Sequence, residues 1–257
     1  MSTLVVIQAR TNSKRIPGKI FKKIGNTVVY KEVLRRAELV ENIDKVCFAI
    51  SDNKTDDFFA KELGRNKIDF IRGDEENVLN RFIKVSKKFL FDHIIRIPCD
   101  KPLIDPEIIS FLSKKYLEEN ADYACINITP SWPHGLDIEI FKTKLLSLSY
   151  ESSKHPKNLE HVTPWMRENK NLKIINLKSK TDLSFHRWTI DYEEDLQLVR
   201  QIFSKLNYYN NTYPTSYKDV LNILDENPYI SNINKNYHEE DSRSVSNDRN
   251  SLDIYYE

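Results

Sequence analysis

The residues with the clearest chemical potential sit at the start of the chain. Arg10, Lys14, Arg15, Lys19, Lys22, Lys23 and Lys31 all fall within the first 31 positions, where no Asp or Glu occurs. The stretch Gln8-Ala9-Arg10-Thr11-Asn12-Ser13-Lys14-Arg15-Ile16-Pro17-Gly18-Lys19 directly follows a β-branched apolar run. Small residues at Ala9 and Ser13 let backbone N–H groups approach an anion, and the arginines and lysines supply the charge that a triphosphate needs. The same composition also fits a solvated basic loop. Two carboxylates follow at longer range. Asp100 and Asp191 each come just after an apolar run, and carboxylates at neighbouring strand ends are hard oxygen ligands suited to Mg²⁺. Each has a plainer alternative: Asp100 beside Lys101 as a surface ion pair, and Asp191 with Glu194 as a helix cap and its capping-box partner.

These residues need a scaffold that gathers strand ends. Apolar runs at 4–9, 45–50, 68–71, 93–97 and 123–126 read as strands without a solvent face. Between them 28–41, 55–63, 76–89 and 106–118 carry helical spacing. This alternation predicts an α/β fold with a mostly parallel sheet covered by helices on both faces, whose ligands sit at the carboxyl ends of the strands. Asp105-Pro106 marks a helix start, and Gly64 a helix end. From about residue 127 the pattern loosens. A strand at 137–141, helices at 143–152 and 159–169, and strands at 172–177 and 187–190 read as a flap or insertion spanning about 127–186. Helices at 192–206 and 217–224 return to the sheet. The domain is expected to cover 1–232, with 233–257 a disordered or interacting tail.

Composition narrows the function. The 257 residues hold 39 Lys+Arg against 38 Asp+Glu, so a general nucleic-acid binder is excluded and any charge-driven recognition must be local. No apolar run is long enough to span a membrane, and no secretory leader is evident; the chain reads as cytoplasmic. Cys47, Cys99 and Cys125 have neither metal spacing nor a disulfide framework and read as reduced core thiols. Glycine is scarce: Gly18, Gly25, Gly64, Gly73 and Gly135, against roughly 18 for average usage. No dinucleotide or Walker A fingerprint is present.

The loop from Ile7 through Arg10, Ser13, Arg15 and Pro17-Gly18-Lys19 resembles the signature of the sugar cytidylyltransferases, closest to the SpsF-like spore-coat polysaccharide branch. Ile50-Ser51-Asp52-Asn53, Arg72-Gly73-Asp74 with Val78 to Arg81, Asp100 to Pro106, Gly135-Leu136-Asp137, Glu160-His161-Val162-Thr163-Pro164 and Ile190-Asp191 with Glu194-Asp195-Leu196 follow in that family's order over roughly residues 3–225.

The resemblance implies a GT-A-like nucleotide-diphospho-sugar transferase fold. Such an enzyme takes CTP and a sugar, acidic in the relatives, and releases a CMP-sugar and pyrophosphate for glycan or surface polysaccharide synthesis. It implies that Arg10 and Lys19 hold the phosphates and neutralise the leaving pyrophosphate, with Ala9, Ser13 and Arg15 completing the cradle. Arg72, Gly73 and Asn80 would lie at the base, though Gly73 also fits a simple chain turn. Asp100 and Asp191 would hold Mg²⁺, with Asp100 essential to turnover, and His134, Asp137, Glu139, Glu160, His161 and Arg187 would meet the acceptor. Pro98-Cys99 and the bulky Phe185-His186-Arg187-Trp188 depart from the branch's pattern, which implies a different acceptor choice. Expected partners are CTP and a sugar, with a homodimer allowed and no nucleic acid or membrane. Another base, a non-sugar acceptor, or a non-catalytic nucleotide-sugar-binding role in a polysaccharide pathway are the competing readings.

Overall fold

The computed structural model describes residues 1–206, 215–237 and 251–256. Ten strands run β1 (Thr3–Ala9), β2 (Lys23–Ile24), β3 (Thr27–Val28), β4 (Lys45–Ser51), β5 (Phe70–Gly73), β6 (His93–Pro98), β7 (Tyr123–Cys125), β8 (Glu139–Lys142), β9 (Ile174–Ser179) and β10 (Ser251–Tyr256). Ten α-helices accompany them: α1 (Val29–Ala37), α2 (Asp57–Arg65), α3 (Val78–Phe89), α4 (Pro106–Glu118), α5 (Leu145–Ser152), α6 (Pro156–His161), α7 (Pro164–Glu168), α8 (Glu193–Lys205), α9 (Tyr217–Glu226) and α10 (Pro228–Ser231). Apart from the β2–β3 hairpin, the strands form one sheet in the order β10-β9-β7-β8-β6-β1-β4-β5. Every neighbouring pair is parallel except the two made by β8.

The apolar runs lack alternation because both faces are covered. Val5 and Ile7 point into the layer under α1, α2, α4 and α8, whereas Leu4 and Val6 point into the layer under α3, α5 and α7. Successive side chains of a strand face opposite ways, so a continuous apolar run serves two cores at once. Register then fixes the working edge: Ala9 pairs with Ile50, and Gln8 with Pro98, so β1, β4 and β6 end side by side. The antiparallel β8 starts where its neighbours stop. Its first residue, Glu139, pairs with Arg96 of β6 and Cys125 of β7, which delivers Asp137 and Glu139 to the same edge.

Several expectations are corrected. Residues 127–186 are not a flap, because β8 and β9 lie inside the main sheet. The expected strand at 187–190 makes only one isolated bridge, Arg187 to His134. The helix expected at 159–169 is two helices, broken where Val162 takes a φ of 70° and Pro164 starts α7; a proline cannot continue a helix through its missing N–H. Gly64 lies inside α2, which Asn66 ends. Asp105 does cap α4, accepting from the Glu107 and Ile108 amides, with Pro106 in the first turn. All three cysteines are free and buried. No helix among the described residues is long and apolar enough to cross a membrane.

The tail expectation fails at both of its described ends. Asn234 is fully buried, and 251–256 add a parallel edge strand to β9. Ile254 and Tyr256 turn towards the core, where the Tyr256 ring meets Trp132, Tyr217 and Phe111. The polar run 238–250 lies outside the described residues. Deleting residues 251–257 should therefore cost about 2–4 kcal/mol, from two partly buried side chains and an uncovered β9. A lowered urea midpoint checks this, whereas a dispensable tail would leave the midpoint unchanged.

Candidate active site

Two adjoining cavities open at the carboxyl edge of the sheet. The larger, about 470 Å³, is lined by Ala9, Arg10, Ser13, Arg15, Lys19, Arg81, Asp100, Glu160 and Asp191 among others. The smaller, about 290 Å³, is lined by Asn127, Asp137, Glu139, Thr163, Arg167 and their neighbours. Arg96, Pro98, Lys101, His134 and His161 belong to both and form the junction.

The loop after β1 is held by a residue not singled out in the sequence. Asp56, fully buried, accepts from the Thr11 backbone N–H at 3.0 Å and its hydroxyl at 3.2 Å. Burial raises the Asp56 pKa, and the Thr11 bonds pull the other way. The loop then closes on itself. The Gly18 N–H donates to the Thr11 carbonyl at 3.0 Å, and Gly18 takes the left-handed φ of 65° that lets the chain enter the short helix Lys19–Phe21.

That turn aims Lys19 at both candidate metal ligands. Its ammonium donates to Asp100 Oδ2 at 2.6 Å, Asp191 Oδ1 at 3.0 Å and the Ile190 carbonyl at 2.9 Å. Burial disfavours the ammonium, but the two carboxylates outweigh it and hold the Lys19 pKa above the ordinary lysine value. Asp191 also pairs with Arg15 at 2.7 Å and Arg187 at 3.3 Å. Burial alone would raise the Asp191 pKa; Lys19, Arg15 and Arg187 together hold it well below the usual carboxylate range.

The plainer alternatives for both aspartates are resolved by these partners. Tyr192, not Asp191, is the N-cap of α8, and the buried Asp195 accepts from the Asp191 and Tyr192 amides at 2.9 Å each. Asp195 also holds the Arg187 guanidinium at 3.0 and 3.2 Å, leaving the Asp191 carboxylate to face the cavity. Asp100 pairs with Lys19, while Lys101 turns to Asp137 at 2.8 Å.

The two carboxylates converge on one cation, so the pair fits a divalent ion that completes its shell with phosphate oxygens and water. Among the described residues no group of three or more His, Cys, Asp or Glu is placed to hold a metal by itself. In this state Lys19 occupies the point where the charge of such an ion would act.

The residues expected at the base are not brought to the cavity. The Arg72 guanidinium is taken by Asp57 at 2.7 Å and by the Ser51 and Asn53 carbonyls, and Arg72, Gly73 and Asn80 do not line the cavity. Gly73 serves a different contact: a Cβ there would meet Arg81 Cγ at 3.1 Å. Arg81, buried, threads past it to the carbonyls of Ala9, Ala49, Asp74 and Glu75, so it ties three strand ends together. Burial pulls its pKa down to about 10.

Of the residues expected at the acceptor, His134 and His161 reach both cavities, Asp137 and Glu139 line the smaller, Glu160 the larger, and Arg187 lines neither. Arg187 instead supports His134, whose Nδ1 lies 3.1 Å from its guanidinium. Arg96, Asn127 and Arg167 are additions. A visible signal existed only for Arg96, a charge inside the apolar run His93–Pro98.

A family model described as cytidylyltransferase matches residues 4–232. The chain belongs to the cytidylyltransferase family. It is 28% identical over 233 residues to the spore coat polysaccharide biosynthesis protein SpsF of Bacillus subtilis, covering 88% of this chain and 95% of that one. It is 31% identical to an uncharacterised Methanocaldococcus jannaschii protein, over 95% and 99% of the two chains. A cytidylyltransferase structure from Leptospira borgpetersenii matches at TM-score 0.83 and 27% identity, covering 90% of this chain and 97% of that one. The cytidylyltransferase is thus a CTP-dependent nucleotidyltransferase with the α/β sheet expected for one.

Two outcomes are expected. Lys19→Met leaves Asp100 and Asp191 without the cation they share, so nucleotide-free protein should bind Mn²⁺ at least about tenfold more tightly by electron paramagnetic resonance titration. Gly135, at φ 123°, would place a Cβ 2.6 Å from the Trp188 carbonyl carbon and 2.7 Å from the Thr189 nitrogen. Gly135→Ala should therefore cost about 3 kcal/mol or more, seen as a lost or strongly lowered thermal transition.

Proposed function

We propose that this cytidylyltransferase transfers CMP from CTP to a hydroxyl of an acidic sugar, releasing pyrophosphate, as a step in making a glycan or surface polysaccharide. The observation that carries the reading is the junction: a basic, carboxylate-bearing cavity of nucleotide size meets a second, cation-rich cavity across five shared residues.

The triphosphate lies against the 10–19 loop, where Arg10, exposed on the cavity wall, and Arg15 meet the β- and γ-phosphates. Asp100 and Asp191 would hold Mg²⁺, which would supply positive charge against the phosphates and the developing pyrophosphate. Lys19 would turn its ammonium from the carboxylates to the same oxygens. The protein's work is positioning and charge stabilisation, as expected for phosphoryl-type transfer. Cytosine is accepted because the family uses CTP, with the base held by residues other than Arg72 and Asn80.

The sugar enters the smaller cavity, and its hydroxyl approaches the α-phosphorus across the junction. His161 faces both substrates there. Burial lowers its pKa from the ordinary 6.5, opposed by Glu160, so at neutral pH its imidazole is uncharged and able to take the hydroxyl proton.

Purified protein with CTP, Mg²⁺ and a set of sugar acids should release pyrophosphate; CTP binding without release from any of them contradicts the proposal. Asp100→Asn should lower kcat at least about a hundredfold. The acid limb of the kcat/KM profile should fall below pH 6.5 and vanish in His161→Gln, with kcat reduced about a hundredfold.

A further inference from the structure

Beyond residue 232, where the family match ends, the chain returns to the wall of the larger cavity. Asn234 is fully buried there, and its Nδ2 donates to the Arg187 carbonyl at 2.9 Å and to Asp195 Oδ1 at 2.8 Å. The Tyr237 N–H then donates to the Asn234 carbonyl at 3.0 Å, within the short helix Lys235–Tyr237. The result is an aromatic stack. The Tyr237 ring lies on the Tyr192 ring with centroids 4.0 Å apart and planes 12° from parallel. One carboxylate fixes both partners, because Asp195 Oδ2 accepts from the Tyr192 backbone N–H at 2.9 Å while its Oδ1 holds Asn234.

The stack ends on a cation. The Arg15 guanidinium carbon lies 4.8 Å from the centre of the Tyr192 ring, and its Nη1 donates to the Tyr192 hydroxyl at 3.3 Å. A second tether is Asp191 Oδ1 at 2.7 Å, an oxygen that also accepts from Lys19 at 3.0 Å. With half of its side chain exposed, Arg15 has many rotamers to lose when it is held in one place. The two tethers respond differently to a ligand. A triphosphate on the 10–19 loop competes with the Asp191 carboxylate for the guanidinium, so that ion pair weakens as the ligand binds. The neutral Tyr192 ring is not competed away. A ring face attracts a guanidinium while leaving its in-plane N–H groups to phosphate oxygens.

We infer that Tyr237 is a positioning residue for the triphosphate: stacked on Tyr192, it holds that ring where Arg15 rests, so that Arg15 is already oriented towards the β- and γ-phosphates when CTP arrives. The inference rests on the transferase reading, in which Arg15 meets those phosphates, and deepens it with a residue from beyond the matched region. Aromatic pairs and cation–ring contacts are each modest, so the effect falls on affinity and is confined to nucleotides that carry the distal phosphates.

Isothermal titration calorimetry with CTP and with CMP, in Mg²⁺ buffer without acceptor, tests this. Tyr237→Ala should raise the CTP Kd about three- to tenfold and leave the CMP Kd within about 1.5-fold. Tyr237→Phe keeps the ring and should match the unsubstituted protein, whereas Tyr237→Leu keeps apolar bulk without a ring face and should match Tyr237→Ala. Arg15→Ala should raise the CTP Kd at least about tenfold. Adding Tyr237→Ala to it should change the Kd by less than about 1.5-fold, since Tyr237 acts through Arg15. A structural role alone would weaken CTP and CMP alike and would add to Arg15→Ala. That outcome, or an unchanged CTP Kd in Tyr237→Ala and Tyr237→Leu, would overturn the inference and leave the transferase reading standing. Should Tyr237→Ala lose its thermal transition, Tyr237→Leu against Tyr237→Phe carries the comparison. If Arg15→Ala binds CTP as tightly as the unsubstituted protein, the place given to Arg15 in the transferase reading is wrong, and the inference falls with it.

Discussion

The site is organised by the repulsion that Asp100 and Asp191 would exert on each other without a cation between them. Lys19 supplies that cation at 2.6 and 3.0 Å, and Arg15 and Arg187 reinforce it from the outer side of Asp191. A half-buried pair of carboxylates this close to one point is costly unless compensated. Everything that positions Lys19 therefore matters, above all the left-handed Gly18 and the Thr11 contacts to Asp56. Asp195 plays the matching role on the other wall. It accepts from the amides at the start of α8 and takes most of the Arg187 guanidinium, while Asp191 lines the larger cavity.

The sheet explains why these groups meet. Parallel β1, β4 and β6 end in register and set Lys19's loop beside Asp100. The single antiparallel strand, β8, runs the other way and brings its leading residues, Asp137 and Glu139, to the same edge. One reversal in an otherwise parallel sheet thus adds the smaller cavity to the larger one. The Ile190 amide donates to the Asp100 carbonyl at 2.9 Å, and the His134 carbonyl accepts from the Trp188 and Thr189 amides, which bind the two walls together. Gly135 is the residue that permits this close backbone approach.

Much of this was legible in the residues. The continuous apolar runs announced a sheet buried on both faces, and the basic loop leaving the first of them does line the larger cavity. What escaped has specific physical causes. An aspartate before a helix reads equally as cap or ligand, and only the buried Asp195 four residues on decides it. Arg72 at a strand end gives no hint of which way it turns; Asp57 on α2 draws it away from the cavity. Asn127 and Arg167 sit in a loop and a five-residue helix, without periodicity to mark them. The closing strand β10 is six residues after a polar run, and its inward Ile254 and Tyr256 have meaning only beside β9.

In the proposed cycle Lys19 holds the place of a metal until CTP arrives. A crystal structure with CTP and Mn²⁺, using anomalous scattering to locate the ion, tests it directly. The expected result is an ion held by Asp100 and Asp191, with the Lys19 ammonium moved onto the triphosphate. A triphosphate bound with Lys19 still bridging the two carboxylates, and the ion elsewhere, would contradict it.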